Sequence, residues 1–163
     1  MKFLKKIKSL EEILAILPKL RAQGKRIITT NGSYDIIHSG HVKSLYESKS
    51  QGDVLVVGVN SDKSVKIYKS KDRPIISEKD RMETLAGLGC VDYVFKFDET
   101  TPHKFIEKIK PDVHTNSSDY GENCVEKDAV LKVGARLHLL KKYKGMSTSE
   151  IIKKILNIYC QPK

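Results

Sequence analysis

His38-Ser39-Gly40-His41 places two imidazoles three positions apart, directly behind the polar run Thr29-Thr30-Asn31-Gly32-Ser33-Tyr34-Asp35. At a helix start this spacing lets both rings point at one centre, and Gly40 leaves room for a ligand against the backbone. An imidazole N–H, neutral or charged, can stabilise negative charge developing on a phosphate. Backbone N–H groups of a glycine-bearing loop that runs into a helix can do the same. Two other chemistries fit less well. Zinc would accept two histidines, but it needs a third or fourth ligand, and the cysteines show no matching spacing. A dinucleotide fingerprint is absent, because no G-x-G-x-x-G occurs. The bland alternative is a helix N-terminus carrying two incidental histidines, and the neighbouring segments weigh against it.

The elements that must position these residues can be read from periodicity. Arg26-Ile27-Ile28-Thr29-Thr30 is a β-type run ahead of the loop, and apolar Val42, Leu45 and Tyr46 open a helix that reaches about Lys49. Val54 to Val59 is apolar at every position but Gly58, as suits a strand covered on both faces in a parallel sheet. Asn60-Ser61-Asp62 then falls at the strand's C-terminal end, where open α/β sheets place their ligands; turn and cap chemistry explains Asp62 equally well. Lys63, Lys66, Lys69, Lys71 and Arg73 follow, either as a solvated face or as a mobile basic flap over phosphates. Ser77-Glu78-Lys79-Asp80 opens a helix with Met82, Leu85 and Ala86 facing inward. Arg81 lies in its first turn, a poor place for a cation against the helix dipole unless an anion sits nearby. The plain alternative is a salt bridge to Glu78 or Asp80.

Further strands are expected at Val91–Phe95, Asp112–Thr115 and Ala135–Leu140, with helices at Pro102–Ile109 and, weakly, Glu126–Val133. His114 and His138 read as strand residues without a catalytic role. Asn116-Ser117-Ser118-Asp119-Tyr120-Gly121 is a polar loop at the ligand edge. Ser147 and Glu150 have capping-box spacing ahead of Ile151, Ile152, Ile155, Leu156 and Tyr159, and hydroxyls at 147–149 form a phosphate cradle at a helix N-terminus. Alternating strands and helices argue a single α/β domain, Rossmann-like and doubly wound, around a mainly parallel five-stranded sheet.

The N-terminus begins with positive charge as a signal peptide does, but Glu11 and Glu12 interrupt its apolar region and no small-residue cleavage site follows. Ser9-Leu10-Glu11-Glu12 instead reads as a capping box for an amphipathic helix that ends near Gly24. Residues 1–24 are therefore expected as a helix packed on the domain. No apolar run approaches the ~20 residues of a membrane span, so no membrane attachment is expected.

The chain has 163 residues, 39% hydrophobic and 31% charged, which suits one domain with a proper core. Its formal net charge is +10, mostly from scattered lysines, with short clusters such as Lys5-Lys6 and Lys141-Lys142. That pattern argues for a solvated surface and a field that gathers anions, and against specific nucleic-acid binding. With no tryptophan and 7% aromatic residues, the chain offers poor material for a base-stacking platform. Cys90, Cys124 and Cys160 form no C-x-x-C pair, and a reduced, cytoplasmic setting is the expectation.

Asn31-Gly32-Ser33-Tyr34-Asp35 with His38-Ser39-Gly40-His41 resembles the signature of the HxGH nucleotidyltransferase, or cytidylyltransferase-like, superfamily. The resemblance continues through Val59-Asn60-Ser61-Asp62, Lys69, Arg73-Pro74-Ile75, Asp80-Arg81, Cys90-Val91-Asp92-Tyr93-Val94, Lys110-Pro111-Asp112, Asp119-Tyr120 and Met146-Ser147-Thr148-Ser149. It covers roughly residues 26 to 156, with 25–160 expected as the nucleotidyltransferase domain. Within the superfamily the chain is most similar to the adenylyltransferases that make ADP-heptose from heptose 1-phosphate and ATP. In many bacteria that enzyme is fused behind a sugar kinase; here it would stand alone.

The resemblance implies transfer of AMP from ATP to a sugar 1-phosphate, with His38, His41 and Lys69 as catalytic residues. Asn31, Gly32, Ser33, Tyr34, Asn60, Arg81, Ser147 and Thr148 would bind nucleotide; Asp35, Asn116 and Asp119 would lie toward the second substrate. Mg2+ is expected with the triphosphate, with no protein ligand assigned to it, and Asp35 is expected to organise the loop rather than to bind metal. Relatives are commonly homo-oligomers. Two positions depart from the heptose pattern: Tyr34 stands where phenylalanine is usual, and Asn116, Ser117 and Ser118 replace lysine-glycine-glycine. A cytidylyltransferase acting on glycerol 3-phosphate or another small phosphoester is the alternative, followed by a non-enzymatic nucleotide- or RNA-binding domain.

Overall fold

The computed structural model describes residues 1–118, 121, 123–141 and 147–160. Five strands, β1 (Ile27–Gly32), β2 (Val54–Asn60), β3 (Tyr93–Phe97), β4 (Val113–Ser117) and β5 (Arg136–Leu140), form one sheet in the order β3-β2-β1-β4-β5. Every pairing is parallel. The chain reverses direction of travel across the sheet between β3 and β4, on either side of β1. That switch point opens a crevice at the C-terminal ends of β1 and β4.

Helices cover both faces, as an all-parallel sheet requires. They are α1 (Leu10–Ala22), α2 (Ser39–Lys49), α3 (Asp62–Tyr68), α4 (Glu78–Ala86), α5 (His103–Ile109), α6 (Lys127–Lys132) and α7 (Thr148–Tyr159). One core joins Ile13 and Leu17 of α1 to Val54, Val56, Phe95, Phe105, Ile109 and Val130. The other joins Ile28, Leu55, Val57 and Val94 to Leu45 of α2 and Leu85 of α4. All seven residues of β2 are buried, as expected for the central apolar run. Gly58 is part of the reason: a Cβ there would meet the Phe95 and Phe105 rings at 3.2–3.3 Å.

The N-terminal segment carries its own helix cap and is tied to the domain at both ends of α1. Ser9 and Glu12 close the expected capping box, with Glu12 N–H donating to Ser9 Oγ at 3.1 Å and Ser9 N–H to Glu12 Oε2 at 2.8 Å. Lys8 N–H donates to Val94 O at 2.9 Å on the sheet edge. At the helix's other end, Arg21 donates to the carbonyls of Ile109 at 2.5 Å and Lys110 at 2.8 Å. Those are carbonyls that the end of α5 leaves without intrahelical partners.

Several boundaries differ from the sequence reading. β1 extends through Asn31 and Gly32, because both pair with β2. The third strand begins at Tyr93, since Asp92 instead turns its carboxylate onto Leu55 N–H at 2.7 Å. The lysine-rich stretch after β2 opens as a helix, capped by Ser61 Oγ accepting from Ser64 N–H at 3.2 Å, and Lys69 and Arg73 follow its end. α7 buries none of its residues, and Ile155, Leu156, Ile158 and Tyr159 are exposed.

Candidate active site

The C-terminal ends of β1, β2, β4 and β5 border a cavity of about 1100 Å³. That is slightly above the range for small-molecule sites, roughly 300–1,000 Å³, and gives room for a nucleotide beside a second substrate. Asn31, Gly32, Ser33, Tyr34, His38, His41, Asn60, Lys69, Asn116, Ser147 and Thr148 all line it. These residues come from six separate stretches, so the fold brings together most of the positions that the sequence singles out. Asp119 lies outside the described residues.

The loop after β1 is built around Tyr34. This residue has a left-handed backbone (φ 48°) and turns its ring back over Gly32, where a Cβ would sit 3.1 Å from the ring. The ring is buried and meets His41 edge-on at 5.4 Å. Burial pushes the Tyr34 hydroxyl well above the ordinary range, so it stays protonated. Tyr34 therefore contributes a wall for the histidine.

His38 is the N-cap of α2 and His41 lies in its first turn. No side chain caps α2, which leaves its first-turn N–H groups at the cavity. The two imidazoles stack with centroids 3.9 Å apart. Burial, then the charges of His38 and Lys69, push His41 down to about 4. Burial also lowers His38, opposed by Glu150. At neutral pH His41 is therefore uncharged and carries a single N–H. The Nδ1 atoms of both rings are buried without a partner.

Lys69 donates to Ser33 Oγ at 2.8 Å from the end of α3. Its ammonium is made more acidic by burial and by Arg73 and Arg81, against the opposing pull of Asp35. Crowding like charges in a partly desolvated site costs free energy that a polyanionic ligand offsets. Ser147, also lining the cavity, caps α7, its Oγ accepting from Glu150 N–H at 3.1 Å, and Thr148 Oγ1 donates to Ile36 O at 3.3 Å. The start of α7 is thereby clipped to the histidine loop.

Two candidate residues stand behind the cavity wall. Arg81 is 1% exposed and donates through Nε to Ile76 O at 3.0 Å and through NH2 to Asn60 O at 2.9 Å and Asp62 Oδ1 at 2.7 Å. It also reaches Ser33 O through NH1. In this structure the guanidinium thus holds the ends of β1 and β2, and its ion-pair partner is Asp62, neither Glu78 nor Asp80. Asp35, 2% exposed, accepts from Arg73 Nε and from the N–H groups of Ile75 at 2.8 Å and Ile76 at 2.9 Å. Its carboxylate organises the turn after α3 and does not line the cavity. Asn60 and Asn116 reach the cavity with much of their polarity already engaged: Asn60 Nδ2 donates to Ser64 Oγ at 3.1 Å, and Asn116 Nδ2 to Glu126 Oε2 at 2.7 Å.

Arg73 and Glu126 also line the cavity, and the sequence reading assigns neither a site role of its own. Arg73 sits in a lysine-rich run that reads either as a solvated face or as a basic flap, and Glu126 at the start of a weak helix. Among the described residues no group of three or more His, Cys, Asp or Glu side chains could hold a metal ion, and no helix is long and apolar enough to cross a membrane.

Residues 29–154 match the cytidylyltransferase-like family. The chain is 48% identical over 155 residues to the bifunctional protein HldE of Geobacter metallireducens, covering 94% of this chain and 32% of that protein. It is 49% identical over 153 residues to the HldE of Campylobacter concisus, covering 93% and 30%. The chain thus spans about a third of the length of these relatives. Among solved structures it is similar to the lipopolysaccharide core biosynthesis protein of Thermoplasma volcanium, with a TM-score of 0.63 and 28% identity over 74% of this chain and all of that one. The pantoate–beta-alanine ligase of Francisella tularensis shares the fold, with a TM-score of 0.61 at 17% identity over 96% of this chain and 79% of that one.

Proposed function

The chain belongs to the cytidylyltransferase-like family of nucleotidyltransferases, and we propose that it transfers AMP from ATP to a sugar 1-phosphate, most specifically a heptose 1-phosphate. The observation that carries this reading is the convergence of His38, His41, Lys69, Ser147 and Thr148 on one cavity at the sheet's switch point. The 48% identity to a bifunctional HldE supports the heptose.

In the proposed reaction a phosphate oxygen of the sugar attacks the α-phosphorus of ATP. A new P–O bond forms, the bond to the β-phosphate oxygen breaks, and pyrophosphate leaves with that electron pair. No protein nucleophile is required; the work is alignment and charge stabilisation. His38 and His41 act at the α- and β-phosphates through ring N–H groups that need no rearrangement as charge develops. Lys69 follows the leaving pyrophosphate, and the first turn of α7, with Ser147 and Thr148, supports the triphosphate. Magnesium belongs to the reading as a cation carried by the triphosphate, whose charge it screens; a small hard cation retains its waters and phosphate oxygens and needs few protein ligands. Action in the cytoplasm as a homo-oligomer is part of the same proposal.

The test is pyrophosphate release from purified protein with magnesium, each of the four nucleoside triphosphates, and heptose, hexose and glycerol phosphates. The largest signal is expected with ATP and heptose 1-phosphate. Asn116 and Ser117 at the cavity wall favour the second reading, a changed acceptor. A preference for CTP with glycerol 3-phosphate would establish that reading and overturn the first.

A further inference from the structure

Arg73 is unlike the other basic residues of its segment. Its side chain is only 15% exposed although it borders the cavity. Its Nε is tied to Asp35 Oδ2, and Asp35 is itself fully engaged, with its second oxygen accepting from Ile75 and Ile76 N–H. The carboxylate therefore fixes both the turn and the plane of the guanidinium. The NH2 nitrogen of the same guanidinium is buried and has no partner. A buried donor without an acceptor costs free energy, and an arginine kept in that state calls for an explanation.

The surroundings indicate the missing acceptor. Lys69, Arg73 and Arg81 stand together at the ends of β1 and β2, and Lys69 feels both arginines. Among the described residues, ion pairs join Asp35 to Arg73 and Asp62 to Arg81. The ammonium of Lys69 contacts a neutral hydroxyl, that of Ser33. Lys69, Arg73 and Arg81 thus form a cluster of three cations whose ion pairs, among the described residues, are with two carboxylates, and Lys69 and Arg73 line the cavity. A planar guanidinium with one edge anchored presents its remaining N–H groups in the geometry that suits a phosphate.

We propose that Arg73 is a substrate-binding residue that takes a phosphate group of a bound substrate, with Asp35 as the residue that positions it. The inference deepens the function proposed above and rests on it. The phosphate can come from either of two sources, the triphosphate of the nucleotide or the phosphate of the acceptor.

The experiment compares wild type with Arg73→Gln and Arg73→Lys by calorimetric titration with a non-hydrolysable ATP analogue plus magnesium, with heptose 1-phosphate, and with inorganic phosphate. Adenosine, followed by NMR line broadening, serves as the ligand that lacks phosphate. Arg73→Gln is expected to lose at least tenfold in affinity for one of the phosphorylated ligands and to keep its affinity for adenosine; Arg73→Lys should fall between. Loss confined to the ATP analogue assigns the site to the nucleotide, and loss confined to heptose 1-phosphate assigns it to the acceptor. Unchanged affinity for every phosphorylated ligand would overturn the proposal, as would an equal loss for adenosine, which marks a distorted turn. These are binding readouts, so they stand even where the turnover panel fails for heptose 1-phosphate.

Discussion

His38 and His41 lie with their ring centroids 3.9 Å apart and their planes 28° from parallel. Tyr34 also meets His41 edge-on, with ring centroids 5.4 Å apart. Each ring limits the rotation of the next, so both imidazoles are held in place before any ligand arrives. Preorganisation of this kind is what makes a donor effective against charge that develops only in the transition state.

Replacing either ring should therefore cost turnover far more than stability. His38→Ala and His41→Ala are each expected to lower kcat by ~10² to 10³, the usual cost of removing one aligned donor. Circular dichroism and thermal unfolding should remain close to wild type, since neither Nδ1 has a protein partner to lose. Turnover like that of wild type at saturating substrate in both variants would show that the histidines are not the catalytic groups.

Arg81→Ala is expected to damage the fold first. The change strands the carbonyls of Ser33, Ile76 and Asn60 and leaves Asp62 unpaired. At ~1–3 kcal/mol for each buried group left unsatisfied, the loss should be at least about 3 kcal/mol. Urea unfolding measures it directly. Nucleotide affinity should then fall through the displaced end of β1, and Arg81→Lys should not rescue it, because an ammonium cannot reproduce the fork. A variant of normal stability with weakened ATP binding would mean instead that Arg81 contacts nucleotide.

Ser147→Ala removes the cap of α7 and with it the bond to Glu150 N–H. About 1 kcal/mol of stability should be lost. Because the same turn is clipped to Ile36 O through Thr148, affinity for a non-hydrolysable ATP analogue should fall as well. Calorimetric titration alongside thermal unfolding separates the two effects, and Ser147→Thr should restore most of both.

Stability should decline as the solution is acidified below neutrality. Burial pushes His114 down to about 3 and, with its neighbours' charges, His41 to about 4. Between these values and 6.5 the unfolded chain binds protons that the folded chain does not, so folding is favoured above pH 6.5 and loses ground as pH falls. Each histidine contributes a slope of up to about 1.4 kcal/mol per pH unit in that window. His114→Gln should flatten the curve between pH 6.5 and 4, as read from urea midpoints at a series of pH values. An unchanged slope would mean that His114 titrates alike in both states.

Local relations were legible in the sequence alone. The apolar run of β2, the caps at Ser9, Ser77 and Ser147, and the three-residue spacing of the histidines are all set within a turn or two of chain. Steric and hydrogen-bonding preferences at that range act whatever the rest of the molecule does. Tertiary structure decided what each charged side chain faces. Asp35 and Arg73 lie 38 positions apart, and Arg81 lies 48 from Ser33. A cation in the first turn of a helix looks the same in sequence whether an anion or a set of backbone carbonyls awaits it. Only the parallel pairing of β1 with β2 brings those carbonyls to Arg81, and only the turn after α3, folded onto Asp35, removes Arg73 from solvent. Burial and charge neighbourhood are properties of the packed chain, and for Arg73 and Arg81 they determine whether a basic side chain supports the sheet or meets a ligand.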